Sequence, residues 1–298
     1  MPDTRRSLAR MLAVALLAVA STAAADSGHP LPLWQINGHG NSVFLLGSVH
    51  LLRASDHPLP SAIDAAYQEA ERLVMELDMD DIDPLTTQAV VAELSAITDG
   101  RSLSDLLGQR RYANVEKESR KLGISLDMFA RSEPWYVAIS IEQLMLMRAG
   151  LTQEHGVEAH FVGKAAADGK EIIGLETIRQ QLGLLDGLSM PAQRNLLAQV
   201  LEESADLQSS MAALIRAWRH GDTGYLEQNM LAEMKRHREL YRTIVVDRNK
   251  DWVRQIGRYL GRKDDYLVIV GALHLIGDDG VPAMLAQRGH DVVQLQQQ

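Results

Sequence analysis

Cysteine is absent from the 298 residues, which excludes disulfides, thiolate metal sites, iron–sulfur clusters and a cysteine nucleophile together. Any metal must therefore rest on imidazole and carboxylate. Aromatics make up only 5% of the chain, so Leu, Val, Ile, Ala and the 12 Met supply most of the core volume. Lys and Arg number 30 against 39 Asp and Glu, a formal charge of −9. With no basic block, nucleic acid is not an expected partner, because a grip on phosphates needs surplus cations to replace counterions. The G-x-S-x-G elbow, the Walker lysine loop, H-E-x-x-H and a G-x-G-x-x-G after a strand are all missing. These absences argue against serine hydrolase, nucleotide-binding and zincin chemistry; Ser48, between Gly47 and His50, remains a minor candidate nucleophile.

What is present begins with a leader pattern. Arg5, Arg6 and Arg10 precede the apolar run 11–20, followed by Ser21, Thr22 and Ala23-Ala24-Ala25. Charged start, short apolar stretch and small-residue A-x-A end describe a cleaved signal peptide over residues 1–25. The apolar run is shorter than the about 20 residues that cross a bilayer. Beyond it lies no run of 18 uncharged apolar residues, so no stable membrane insertion is expected after signal removal. Cleavage would remove three Arg and one Asp, taking the charge from −9 to −11. The expectation is a periplasmic or secreted protein whose residues 26–298 form one domain.

The remaining 46% hydrophobic, 23% charged chain reads as alternating strands and helices. Residues 33–37 and 42–48, separated by Gly38-His39-Gly40-Asn41, read as a hairpin. Pro58 and Pro60 open an amphipathic helix to about Arg72, and 73–77 is a buried strand. From about 84 to 155 the signal is a large helical insertion, with Leu144, Met145 and Met147 expected in its core. Strand 171–175 leads to Thr177 and Gln180, a capping box for the next helix. Residues 190–259 are nearly all helical. Strand 266–270 is the most apolar, and 291–295 is expected to pair near it. The fold class is α/β: a mixed, largely parallel sheet flanked by helices.

Ligands in such sheets collect beyond the carboxyl ends of the strands. Four apolar runs end there in polar residues: 43–46 in Gly47-Ser48-Val49-His50, 73–75 in Glu76, 172–175 in Glu176, and 266–270 in Gly271-Ala272-Leu273-His274. The two histidines share a G-x-x-H frame. With 22 Gly and 10 His, about 0.7 such tetrapeptides arise by chance, so the common setting at a buried strand end carries the weight. Two imidazoles and a carboxylate make a face able to bind Zn, Mn, Co or Fe, lower the pKa of bound water and polarise a carbonyl, while a spare glutamate takes the proton. A His or Glu at a strand end is otherwise an ordinary loop or capping residue. The other histidines, at 29, 39, 57, 155, 160, 220, 237 and 290, are expected in solvent. Arg248, before Asn249 and Trp252, is either a surface cation or an anion clamp.

Taken as a set, Leu45-Leu46-Gly47-Ser48-Val49-His50, the run into Glu76, Gly174-Leu175-Glu176-Thr177, Arg248-Asn249 with Trp252, and Val270-Gly271-Ala272-Leu273-His274 with Gly277 and Gly280 resemble the TraB/PrgY/GumN family, related to the Tiki metalloproteases. The resemblance runs from about Leu33 to Leu295. It implies a core like that of erythromycin-esterase-like and ChaN-like proteins. It also implies a metal-dependent hydrolytic, peptidase-like site: His50, Glu76 and His274 on a divalent Mn, Co or Zn ion, Glu176 as base or second acid, and Arg248 on a substrate carboxylate or oxyanion. Peptide or another small molecule is the implied substrate. The alternatives are a non-catalytic protein that sequesters peptide, haem or glycan, and an accessory protein of envelope polysaccharide production.

Overall fold

Apolar residues on successive strand positions need cover on both faces of the sheet, and the chain supplies it by crossing from strand to strand through helices. A computed structural model describes residues 28–203 and 207–297; the expected signal peptide lies outside them. Six strands form one sheet: β1 Pro30–Asn37, β2 Ser42–Ser48, β3 Arg72–Leu77, β4 Ile172–Glu176, β5 Tyr266–Gly271 and β6 Val292–Gln296, in the order β4-β3-β5-β2-β1-β6. Strands β2, β5, β3 and β4 are parallel neighbours, while β1 runs antiparallel to β2 and to β6.

The helices fall between the strands. Helix α1 (Ser61–Glu69) joins β2 to β3. Between β3 and β4 lie α2 (Pro84–Ser95), α3 (Leu103–Leu107), α4 (Gln109–Lys121), α5 (Pro134–Arg148) and α6 (Val157–Asp168). Between β4 and β5 lie α7 (Ile178–Asp186), α8 (Met190–Glu203), α9 (Leu207–Arg219), α10 (Thr223–Leu226), α11 (Ala232–Arg236), α12 (Arg238–Tyr241) and α13 (Asp247–Tyr259). Two π-helical turns, Glu227–Leu231 and Arg242–Val246, interrupt this stretch, and α14 (Val281–Gln287) precedes β6.

Alternation along the strands divides the core. Phe44, Leu46, Leu73, Met75, Leu267 and Ile269 pack on one face with Tyr67, Phe161 and Trp218. Val43, Leu45, Val74, Val268 and Val270 pack on the other with Trp252, Val253 and Ile256 of α13 and Leu285 of α14. A third cluster sits among the helices, where Leu103, Leu106, Val137 and Ile141 meet Leu197 and Leu201 of α8. The helical insertion is thus closed by a helix from the later stretch.

Several expectations need correcting. The last strand pairs with β1, two strands away from β5, because β2 and β3 already occupy both edges of β5. Glu176 is the final residue of its strand rather than the residue after it. Met147 is 54% exposed, since α5 buries the stripe of Trp135, Ala138 and Ile141; Leu144 and Met145 are only partly buried. His57, His155 and His160 are half-buried and gathered together: His57 Nε2–H donates to the His155 carbonyl at 2.8 Å, and the His57 and His160 ring centres are 5.5 Å apart. The capping box of Thr177 and Gln180 is present. Among the described residues no helix is long and apolar enough to cross a membrane.

Candidate functional site

Parallel register brings four strand ends to one edge of the sheet. Ser48 of β2 pairs with Gly271 of β5, and Leu77 of β3 with Glu176 of β4. Glu76, one residue before the end of β3, and Glu176 therefore stand on adjacent strands. His274 follows β5 on a short 3-10 turn, Ala272–Leu275, and His50 lies two residues beyond β2. Both glycines of the G-x-x-H frames work by being small. A Cβ on Gly47 would lie 3.2 Å from Ala272 Cα, so its absence lets the end of β2 approach the turn that carries His274. A Cβ on Gly271 would lie 3.3 Å from Glu76 Oε1, 3.5 Å from His50 Nε2 and 3.6 Å from His274 Cδ2. Three of the sequence-predicted residues thus converge on one small space.

The other two hold that cluster from behind. Arg248, in the first turn of α13, is 7% exposed, beside Glu76 at 8% and His274 at 6%. All five of its N–H groups have acceptors. Nε–H donates to both Glu176 oxygens at 3.0 and 3.1 Å, and Nη2 to Glu76 Oε2 at 2.6 Å and Glu176 Oε2 at 2.8 Å. Nη1 donates to His274 Nε2 at 3.1 Å and to the Ile244 carbonyl at 3.4 Å. The guanidinium also lies 4.5 Å from the centre of the Trp252 ring, whose Nε1–H donates to Glu176 Oε1 at 3.1 Å. Glu176, with both oxygens occupied, positions Arg248; it is not a free base. Arg248 is neither a surface cation nor, in this arrangement, a clamp with donors to spare.

Burial sets the charge states. It disfavours an ionised Glu76, but Arg248, the two imidazoles and the Gly271 N–H at 2.8 Å prevail and hold its pKa down at about 2. Gln181 of α7 donates to Glu76 Oε2 at 2.9 Å. Burial pushes His274 down to about 3, with Arg248 adding to the effect, so the ring is neutral. Asn249 fixes its tautomer. The Asn249 Nδ2 group donates to the carbonyls of His274 and Asp279, so its Oδ1 accepts from His274 Nδ1–H at 2.7 Å. The lone pair of His274 Nε2 is then the one that meets Arg248.

His50 is held differently. Its ring is 56% exposed, and Nδ1–H donates at 2.7 Å to Glu158 Oε1, in the first turn of α6. That carboxylate raises the His50 pKa to about 9. The Ser48 hydroxyl also donates to Glu158 Oε1, which ties the buried Ser48 side chain to the same acid. Val157 N–H donates to the Val49 carbonyl at 3.1 Å, fastening the start of α6 to the first G-x-x-H loop. Sequence reasoning missed Glu158, Asn249 and Gln181 as site residues. Gly156 just before α6, with Glu158 in its first turn, was the available signal for the first, and adjacency to Arg248 for the second.

The donor types are ones a divalent ion accepts, but His50, with its pKa raised to about 9, carries a proton on Nε2 that an ion would have to displace. Two imidazoles each have Nδ1 committed to an acceptor and Nε2 turned inward, which is how metal-binding histidines are usually oriented, and a carboxylate stands ionised beside them. Among the described residues, however, no three His, Asp or Glu are grouped so that they could hold a metal ion as they stand. The Arg248 guanidinium occupies the His274 lone pair and one Glu76 oxygen.

Fold and site together define an α/β protein with a His, Glu and Arg cluster at the carboxyl ends of the four parallel strands of a mixed sheet. The model of the TraB/PrgY/gumN family matches residues 32–294, and the chain belongs to that family. It is 25% identical to "Uncharacterized protein YbaP" of Escherichia coli (strain K12) over 85% of this chain and 92% of the relative. It is 22% identical to an "Uncharacterized protein" of Treponema pallidum (strain Nichols) over 86% of this chain and 80% of the relative. No solved structure matches.

Proposed function

We propose that this chain is an exported, metal-dependent hydrolase with peptidase-like chemistry. His50 Nε2, His274 Nε2 and Glu76 would hold one Mn, Co or Zn ion. The observation that carries the reading is the convergence of His50 Nε2, Glu76 Oε1 and the His274 ring on the space beside Gly271, with each imidazole oriented by its own partner, Glu158 or Asn249. When bound, such an ion polarises a substrate carbonyl and lowers the pKa of a bound water. Glu76 supplies a carboxylate that is ionised across the whole physiological range. Glu158 and Asn249 keep Nε2 of both rings facing the reacting space, and Glu176 with Trp252 anchors Arg248 beside it. Substrate enters from the side where His50 is open to solvent. Export rests on the leader pattern of residues 1–25.

Elemental analysis of the purified protein tests the reading, together with cleavage of a mixed peptide library with and without chelator. Metal near one ion per chain, lost in the His50→Ala, His274→Ala double variant, and chelator-sensitive cleavage are expected. Metal without turnover points to a sequestering protein. No metal after exposure to Mn, Co and Zn refutes the proposal.

A further inference from the structure

We infer that Arg248 is the resident counter-cation of this site, and that a divalent ion enters by taking His274 Nε2 and Glu76 over from it. The inference rests on the metal reading proposed above and goes beyond it by giving Arg248 a role opposite to that of a ligand or clamp. Three observations support it. First, the arginine bonds to the same two residues an ion needs: Nη1 to the lone pair of neutral His274 at 3.1 Å, and Nη2 to Glu76 Oε2 at 2.6 Å. A guanidinium and a divalent cation cannot share those acceptors at such distances without strong repulsion in a buried place.

Second, the side chain has a separate anchorage outside the ligand set. Nε–H and Nη2 bond to Glu176, Nη1 reaches the Ile244 carbonyl, and the guanidinium faces the Trp252 ring. It can release His274 and Glu76 while staying in the site. Third, His274 is held in the tautomer an ion requires by Asn249, on the far side of the ring from Arg248. Losing the arginine therefore leaves the ligand oriented. Once released, the terminal nitrogens face the space they previously filled and offer donors to a substrate anion or carbonyl oxygen, so this donor is exposed only when the ion is in place.

The direction of the test is the unusual part, because removing a buried polar neighbour of metal ligands ordinarily weakens metal binding. Here Arg248→Gln, which keeps polarity but removes the charge, should bind Mn2+ at least tenfold more tightly than the wild type in titration calorimetry. Arg248→Lys, which keeps the charge, should not. Equal or weaker binding by Arg248→Gln overturns the inference and leaves the metal reading standing. Binding by Arg248→Gln alone overturns both, because no ion then takes these acceptors over from the arginine in the natural chain; binding by neither removes both as well. The wild-type protein gives a second readout that does not depend on the variant folding. On adding Zn2+, the nitrogen-15 resonance of Arg248 Nε should keep its hydrogen-bonded position, while the Nη resonances lose theirs. Nη groups that stay bonded to His274 and Glu76 with zinc bound contradict the inference.

Discussion

Replacing Arg248 by Met in the metal-free protein removes the cation between two buried carboxylates while keeping much of the side-chain volume. Glu76 and Glu176, with side chains only 10% and 12% exposed, lose the guanidinium at 2.6 and 2.8 Å. Breaking a buried pair by removing one partner costs about 3–5 kcal/mol, mostly through the charge left behind. The Glu76 pKa has the same sign: its net fall from 4.5 to about 2, roughly 3 kcal/mol in favour of the ionised form, is what remains after burial is offset by Arg248 first, then by the two imidazoles and the Gly271 N–H. That is a large fraction of the about 5–15 kcal/mol that holds a domain together, so the variant should fold but unfold at much lower urea. The sign with pH is fixed by the depressed pKa. The contribution is fully present above pH 4.5 and is lost as pH falls through about 2, because a protonated Glu76 needs no cation. The difference between wild type and Arg248→Met, followed by tryptophan fluorescence in urea with chelator present, should shrink between pH 4.5 and 3. A difference below about 1 kcal/mol at pH 7, far under the buried-pair range, or one that does not change with pH, would refute the electrostatic account.

Other outcomes follow from single contacts. Gly271→Ala places a methyl group 3.3 Å from Glu76 Oε1 and 3.5 Å from His50 Nε2. The expected result is a folded protein by circular dichroism whose divalent-ion affinity, by calorimetry, is lost. Asn249→Leu removes the acceptor that fixes the His274 tautomer and two bonds to carbonyls; metal affinity should fall by about 10–100-fold, and unchanged affinity would show that the tautomer does not matter. In the metal-free protein, the His50 ring should titrate by NMR near 9 and return toward 6.5 in Glu158→Gln. Because the folded pKa is raised, the stabilisation is full below pH 6.5 and lost as pH rises through 9. With the ring more than half exposed it should amount to about 1 kcal/mol or less.

Much of this arrangement is legible in the residue order. The runs ending in Gly47-Ser48-Val49-His50 and Gly271-Ala272-Leu273-His274 announce buried strands with polar ends, and parallel topology follows from the helices between them. His50, Glu76, Glu176, Arg248 and His274 accordingly fall in one place. What escapes a linear reading is set by contacts across long separations. Glu158 acquires its meaning only because Val157 docks on Val49, over a hundred residues earlier. The bonding of Arg248 depends on the start of α13 lying against β3, β4 and the turn after β5 at once, which no local pattern encodes. The position of β6 depends on which sheet edge remains open, a property of the assembled sheet rather than of residues 292–296. Met147 illustrates a third limit, since helical spacing does not say how wide the buried stripe will be.

The most direct test is a crystal of the wild-type protein soaked in Mn2+ and measured at the manganese absorption edge. The account predicts one anomalous peak bonded to His50 Nε2, His274 Nε2 and Glu76, with Arg248 moved off His274 and still on Glu176. A peak bonded elsewhere, or an arginine unchanged between His274 and Glu76 with no peak beside it, contradicts the account.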